Sequence, residues 1–319
     1  MEIPEKTLTD VCALLVDNTC KGMGKLGSLI FGSQFRKKEY RDALMAAQAE
    51  KDEKAIAAGE ARFDGTALIP ALALPSMPPN VPLEYLPMLE GQRQEVNNLN
   101  ANLGIALNIL AKTPEEEVSD DPVSPDWFAR WRREAQGIGD QDLQNLWGRI
   151  LAEEVKKPKS VSLKTLDVLK NVTAADAELF CHVVKFRVGR LIVRGWTRFT
   201  PQYSFNELVN LQSLGLIAEG MHSIIPEQLD ETFSYVVCQG YWLAFDLPDE
   251  LSKTGLVGGH SLSPAGLEIL KISDSIPEPD LATVKMVGDY VWEKISGSCK
   301  IMEACSGFDK AKLLHRWHR

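Results

Sequence analysis

Residues 124–186 read SPDWFARWRREAQGIGDQDLQNLWGRILAEEVKKPKSVSLKTLDVLKNVTAADAELFCHVVKF. Trp127, Trp131 and Trp147 fall on successive amphipathic stretches, and each break carries its own start or stop signal. The spacing predicts a helix over 126–136, stopped by Gly137 and Gly139. A second helix is predicted over 140–157, where Leu143, Leu146, Trp147, Ile150, Leu151 and Val155 keep to one face. Asp140 and Asp142 open it, Lys156 and Lys157 close it as the helix macrodipole favours, and Pro158 ends it. A short third helix follows over 162–171, and Thr173 with Asp176 caps a fourth that runs to about Phe186. This density of large apolar side chains specifies a packed helical core. It specifies no chemistry, because the run holds no nucleophile with a base, no acid–base pair and no metal cluster.

Beyond Arg187 the period changes. Leu191-Ile192-Val193 reads as a short strand, and Ser204 with Glu207 caps a helix that runs to Leu214 and ends at Gly215. Leu216-Ile217 leads into another strand. Residues 233–247, FSYVVCQGYWLAFDL, read as a hairpin turning at Gln239-Gly240. Leu262 is a last short strand, and Ser263-Pro264 opens a helix. That order resembles a winged helix. A terminal helix over 281–295 and a basic tail complete the chain.

Before the core the signals are weaker. An apolar run, Val11–Val16, precedes Lys21-Gly-Met-Gly-Lys-Leu-Gly-Ser-Leu-Ile-Phe-Gly32, whose glycines each weaken a helix by roughly 1 kcal/mol. A broken helix packed on protein is the favoured reading. The alternative is an interfacial membrane segment, with Lys21 and Lys25 at headgroups and Leu29, Ile30 and Phe31 in the acyl boundary. A phosphate-loop reading fails, since positions 19 and 26 hold Thr19 and Leu26 where glycine and a hydroxyl residue are needed. Residues 34–62 are alanine-rich and charged, with a thin apolar stripe suited to a solvated helix or half of a coiled coil. Six prolines (Pro70, Pro75, Pro78, Pro79, Pro82 and Pro87) exclude a helix interior over 68–87 and favour an extended strap. Helix resumes over 89–110, with Val96, Leu99, Leu103, Leu107 and Leu110 on one face, and an acidic linker follows over 113–125.

The fold class is therefore mainly α with a smaller α+β part: a helical core followed by a winged-helix-like module. The expected layout is an N-terminal helical region over 1–67, a proline-rich linker over 68–88, the helical core over 89–186, the winged-helix-like domain over 187–273, and a C-terminal helix with basic tail over 274–319.

Charge and cysteine usage narrow the function. The 319-residue chain carries a net charge of −9, so nucleic-acid binding needs a local basic patch. The best patch is Lys185, Arg187, Arg190, Arg194 and Arg198, beside a helix whose Asn206 and Asn210 have the groups that read adenine edges. That helix has no Lys or Arg of its own, and its Glu207 opposes phosphate. The six cysteines show no CxxC pattern and read as reduced, largely buried thiols of a cytosolic protein. Cys299, Cys305, His315 and His318, spaced C-x5-C and H-x2-H, miss the structural zinc pattern. Cys181 and His182 are adjacent, hence about 100° apart on a helix, and do not form a nucleophile–base pair. Acids stand near the amino terminus where a signal peptide would carry cations, and no apolar run reaches membrane-spanning length. Neither a metal nor a cofactor is expected.

The run from Asp126 to Phe180 resembles an uncharacterised bacterial and prophage-borne family, domain of unknown function 2806. The same family layout is matched by Arg93-Gln94-Glu95 and by the Leu262–Leu270 helix. Residues 146–180 are also similar to a segment of the abortive-infection alpha family, and that likeness implies a link to phage defence. Neither resemblance carries catalytic residues. The expected function is that of a non-enzymatic interaction protein, with Trp127 and Trp131 as partner anchors if their rings are partly exposed; the favoured reading of both is core. A protein partner is expected, with a homo-oligomer, a nucleic acid and a membrane surface as the other options. The expected location is cytoplasmic; the alternative is peripheral at the inner membrane.

Overall fold

A computed structural model describes residues 20–31, 38–59, 61–63, 68–70, 86–200, 203–224, 227–228, 233–238, 240–246, 257–273, 280–293, 299–303 and 312–317. The chain divides into two compact units, Met1–Leu163 and Lys164–Arg319.

In the N-terminal unit the described helices are α1 (Lys21–Phe31), α2 (Lys38–Ala57), α3 (Leu86–Leu110), α4 (Pro125–Ala135) and α5 (Gln141–Lys156). A small antiparallel pair, β1 (Ala61–Phe63) with β2 (Leu68–Pro70), lies between α2 and α3. Asp140, read as opening its helix, accepts from the N–H groups of Asp142 and Leu143, and Ser124, which the sequence reading did not single out, accepts from that of Trp127. Both satisfy donors that a helix start leaves open.

The core of this unit is the contact of α3 with α5. Leu103, Leu107 and Leu110 of α3 are buried there, with Trp147, Ile150, Leu151 and Val155 of α5. Gly148 sits where the two helices come closest. A Cβ at this position would lie 2.6 Å from Cβ of Ile105 and 2.9 Å from the Asn102 carbonyl oxygen. Trp131 of α4 is fully buried, and its indole N–H donates to the Trp147 carbonyl at 3.0 Å. The first half of α3 departs from its predicted stripe, since Val96 is half exposed. Asn98 and Asn102 are buried instead, because their amides donate to the terminal carbonyls of α4 at Gln136 (3.0 Å) and Ala135 (3.1 Å). A helix end buried against protein needs such donors.

Buried Glu154 organises the loop after α5. Its carboxylate accepts from the backbone N–H groups of Lys159 at 2.7 Å and Val161 at 3.0 Å. Lys159 is held there at a φ of +71°, a conformation that non-glycine residues adopt only when the surroundings impose it.

The C-terminal unit contains α6 (Leu163–Leu169, which begins at the division), α7 (Ala174–Val183), α8 (Trp196–Phe199), α9 (Phe205–Ser213), α10 (Pro264–Ile272) and α11 (Leu281–Trp292). Its first sheet has the order β3-β4-β9-β5, formed by Arg187–Val188, Leu191–Val193, Val257–Ser261 and His222–Ile224. Its second has the order β11-β10-β8-β7-β6, formed by Leu313–Trp317, Cys299–Glu303, Tyr241–Asp246, Phe233–Cys238 and Glu227–Gln228. The molecule is thus mainly α with a smaller α+β part.

Both predicted capping boxes, Thr173 with Asp176 and Ser204 with Glu207, are closed. Gly215 ends α9 at a φ of +83°. Leu216-Ile217 makes a single bridge to Leu262 rather than a strand. β7 and β8 pair antiparallel as the predicted hairpin requires, and they also pair with β6 and β10 in the larger sheet; Gln239 and Leu247 lie outside the described residues. Past α11 the expected basic tail is corrected, because β10 and β11 are paired strands and His315 lies on β11. Trp317 explains the docking of this end: its ring lies over Gly288 of α11, and its N–H donates to Asp289.

Replacing Gly148 tests the closeness of α3 and α5. Alanine in a helix interior ordinarily adds up to about 1 kcal/mol relative to glycine. Here Gly148→Ala is expected to cost about 1–3 kcal/mol through overpacking, read as a lowered urea midpoint.

Candidate functional site: an open cleft on the C-terminal unit

The two tryptophans proposed as anchors are core residues. Trp127 is 4% exposed, and its indole N–H donates to the Val161 carbonyl at 2.8 Å; Trp131 is 0% exposed. The reason is chemical. Each ring finds a carbonyl for its N–H inside the unit, so each is buried whole.

The membrane reading of α1 meets a similar correction. Lys25, assigned to headgroups, is 4% exposed and donates to the carbonyls of Val155 at 2.8 Å and Ser119 at 3.0 Å. It holds the C-terminal end of α5, where backbone carbonyls carry negative partial charge. Lys21 pairs with Asp120 at 2.7 Å, and Met23 and Leu26 are buried. Leu29 and Ile30 are half-buried, and the Phe31 side chain lies outside the described residues. Among the described residues no helix is long and apolar enough to cross a membrane. Lys25→Met leaves two buried carbonyls without this donor and should destabilise the protein by about 2 kcal/mol in urea titration. An unchanged midpoint would instead suit a segment that serves only at a lipid surface.

The basic patch disperses. Arg187 is half-buried and donates to the Val184 carbonyl at 2.9 Å; burial lowers its pKa from the ordinary value. Arg198 pairs with Glu293 at 2.9 Å and lies over the Tyr290 ring. Lys185 is half-buried and Arg190 exposed. Asn210 is committed to Asp176, donating to Oδ1 at 2.7 Å, while Asn206 is exposed at the start of α9. One member, Arg194, borders a cleft of about 660 Å³.

Around this cleft the structure gathers residues that sequence reasoning passed over: Trp196, Thr197, Phe205, Met221 and His260. The Arg194 N–H bonds the Gly258 carbonyl at 3.0 Å, which fixes its backbone to β9 while the side chain stays exposed. Ser204 and Phe205 come from the start of α9, and Met221 precedes β5. The Met221 methyl lies against Gly258, 3.5 Å from where a Cβ would stand. Next to it, a Cβ on Gly259 would overlap the Ile192 carbonyl oxygen. His260 is buried beneath Phe205, with ring centroids 6.0 Å apart, and its Nδ1 meets the Gln212 amide at 3.2 Å. Burial holds the His260 imidazole below its ordinary pKa. A hydrogen bond with the Gly220 backbone opposes that shift, and the charges of His222 and Arg194 reinforce it. His260 is therefore neutral at pH 7, and Arg194 supplies the positive charge. Phe205 is 57% exposed, Met221 52%, and Val209, one turn along from Phe205, 45%.

The Cys181 thiol is raised in pKa by burial, and Cys299, also buried, is pushed up to about 12. Cys305 and His318 lie outside the described residues. Among those described, no group of three or more His, Cys, Asp or Glu could hold a metal ion.

Fold and site together define a largely helical protein whose C-terminal α+β unit carries an open cleft, with Phe205 and Met221 exposed among Thr197, Ser204 and His260 and with Arg194 at its edge. Residues 88–190 match the family model described as Protein of unknown function (DUF2806), the family that the tryptophan-bearing run resembles. No curated protein and no solved structure matches the chain.

The cleft rim has a built-in pH dependence. The Glu207 carboxyl is held below its ordinary value of 4.5 by the Ser204 hydroxyl and by the backbone N–H groups of Glu207 and Ser204. A depressed carboxyl stabilises the fold above its unfolded pKa, and the contribution is lost as pH falls through the lower folded value. The stability difference between wild type and Glu207→Gln should therefore be present at pH 7 and shrink below about pH 4, as read by urea titration across pH.

Proposed function

We propose that the protein is a non-enzymatic interaction protein whose partner-binding surface is the cleft of the C-terminal unit. One observation carries the reading: Phe205, Val209 and Met221 are left largely exposed, with Phe205 and Met221 on the walls of a single cleft. Isolated exposed apolar residues are ordinary, but a group about a concavity is the usual form of a docking surface. Burial raises the Cys181, Cys238 and Cys299 thiols, away from the reactive thiolate. A role in phage defence is part of the proposal, supported by the likeness of residues 146–180 to the abortive-infection alpha family.

DNA binding through a winged-helix-like module has less support. Arg187, Arg198 and Asn210 are engaged within the protein, which leaves too few phosphate contacts for the affinity such contacts normally supply. A membrane role for α1 is weaker again, because its apolar face and Lys25 are used inside the N-terminal unit.

The test is affinity capture from infected and uninfected cells with wild type and with the pair Phe205→Asp and Met221→Asp. Both side chains are exposed, so the thermal midpoint should hardly move, consistent with surface changes of about 0.5 kcal/mol or less. Capture of the partner should fall by about thirtyfold or more, the loss of a central apolar anchor. Plating of a phage panel on cells expressing each form reads the defence role. Undiminished capture by the double variant would remove the cleft as the interaction surface.

A further inference from the structure

We propose that the occupant of this cleft is a partner's acidic peptide segment: one large apolar side chain seated between Phe205 and Met221, with a carboxylate a residue or two away on Arg194. This rests on the reading of the cleft as an interaction surface and goes further by naming the chemistry of what binds.

Charge complementarity decides it. Arg194 is exposed at the edge of the cleft, and among the described residues no carboxylate pairs with it. Its neighbour in the predicted patch, Arg198, is already satisfied by Glu293. His260 beneath the cleft is neutral at pH 7 and adds no charge. The nearest acid on α9, Glu207, is turned back onto the Ser204 N–H at 2.8 Å, so it is tied to the helix start rather than to Arg194. A lone guanidinium beside apolar walls selects for a carboxylate next to an apolar group, since a planar fork matches a carboxylate with two parallel hydrogen bonds. The same arrangement disfavours a nucleic acid. A backbone of regularly spaced phosphates needs a track of cations, and this cleft offers one cation in a chain of net charge −9. It also disfavours a basic or neutral peptide, which would leave Arg194 unpaired while burying its surroundings.

The experiment uses the full chain and a random dodecapeptide display library, with counter-selection on Phe205→Asp. Enriched sequences should combine one large apolar residue with glutamate or aspartate nearby. A fluorescein-labelled copy of an enriched peptide then reads affinity by anisotropy. Arg194→Glu should weaken binding about tenfold or more, Arg194→Lys should weaken it less because the charge stays while the paired hydrogen bonds are lost, and glutamine in place of the peptide's acids should weaken it comparably to Arg194→Glu. Three results would overturn the proposal. One is an enriched pattern without acids, or no enrichment beyond the Phe205→Asp chain. The second is an affinity indifferent to Arg194→Glu. The third is displacement of the peptide by a short DNA duplex at physiological salt, which would return the cleft to nucleic acid. Failure here is separable from failure of the broader reading. Capture that depends on Phe205 and Met221 but not on Arg194 keeps the cleft as an interaction surface and rejects the acidic segment. Capture indifferent to all three rejects both.

Discussion

The N-terminal unit depends on how near α3 and α5 can come to one another, and a missing side chain at Gly148 sets that distance. With only hydrogen there, Ile105 and the Asn102 carbonyl press against the α5 backbone. Trp147, next in sequence, turns into the same interface, and its carbonyl becomes the acceptor for the Trp131 indole. That bond ties α4 to the pair. Asn98 and Asn102 then reach the end of α4 from the other helix, and the amides replace the water that the buried carbonyls have lost. One close approach thereby fixes three helices, and Lys25 fastens a fourth onto the end of α5.

The buried polar groups described in this unit hold neighbouring backbone in place. The Glu154 carboxylate is fully used by a loop, the Lys25 ammonium by carbonyls, and the Asn98 and Asn102 amides by a helix end. Each is a buried group whose removal would strand its partners, which is the general reason buried polar groups occur in matched sets. The contrast with the C-terminal unit is clear at Arg194. Its backbone is locked to β9, yet its side chain faces outward beside apolar walls.

Local rules made much of this legible in the sequence. Asp140, Thr173, Ser204 and Ser263 each announce a helix start, and each caps one. The period of Leu143 to Val155 gave the buried face of α5 for the same reason, since it depends on neighbours within a few residues. What could not be read depends on contacts distant in sequence. The placing of Trp127 rests on Val161, and that of Lys25 on Ser119 and Val155. The strands β10 and β11 are short, and only the pairing of β10 with β8 and the seat of Trp317 on α11 make them strands. The cleft escaped notice because its walls come from four separate stretches. One hint was available: α9 has Phe205, Leu208, Val209 and Leu211, more apolar positions than a single buried stripe needs. Leu208 and Leu211 take the buried side, so Phe205 and Val209 were left over for something else.

The glycine pair in β9 bears on how this protein could change its habits. Any side chain at Gly259 would collide with the Ile192 backbone, and Met221 already occupies the space over Gly258. Gly259 is closed to substitution, whereas Arg194, Phe205 and Met221 are exposed at the cleft. Innovation is thus channelled to a few outward positions that carry little of the fold's stability. A lineage could exchange one binding preference for another there without first having to survive an unstable intermediate.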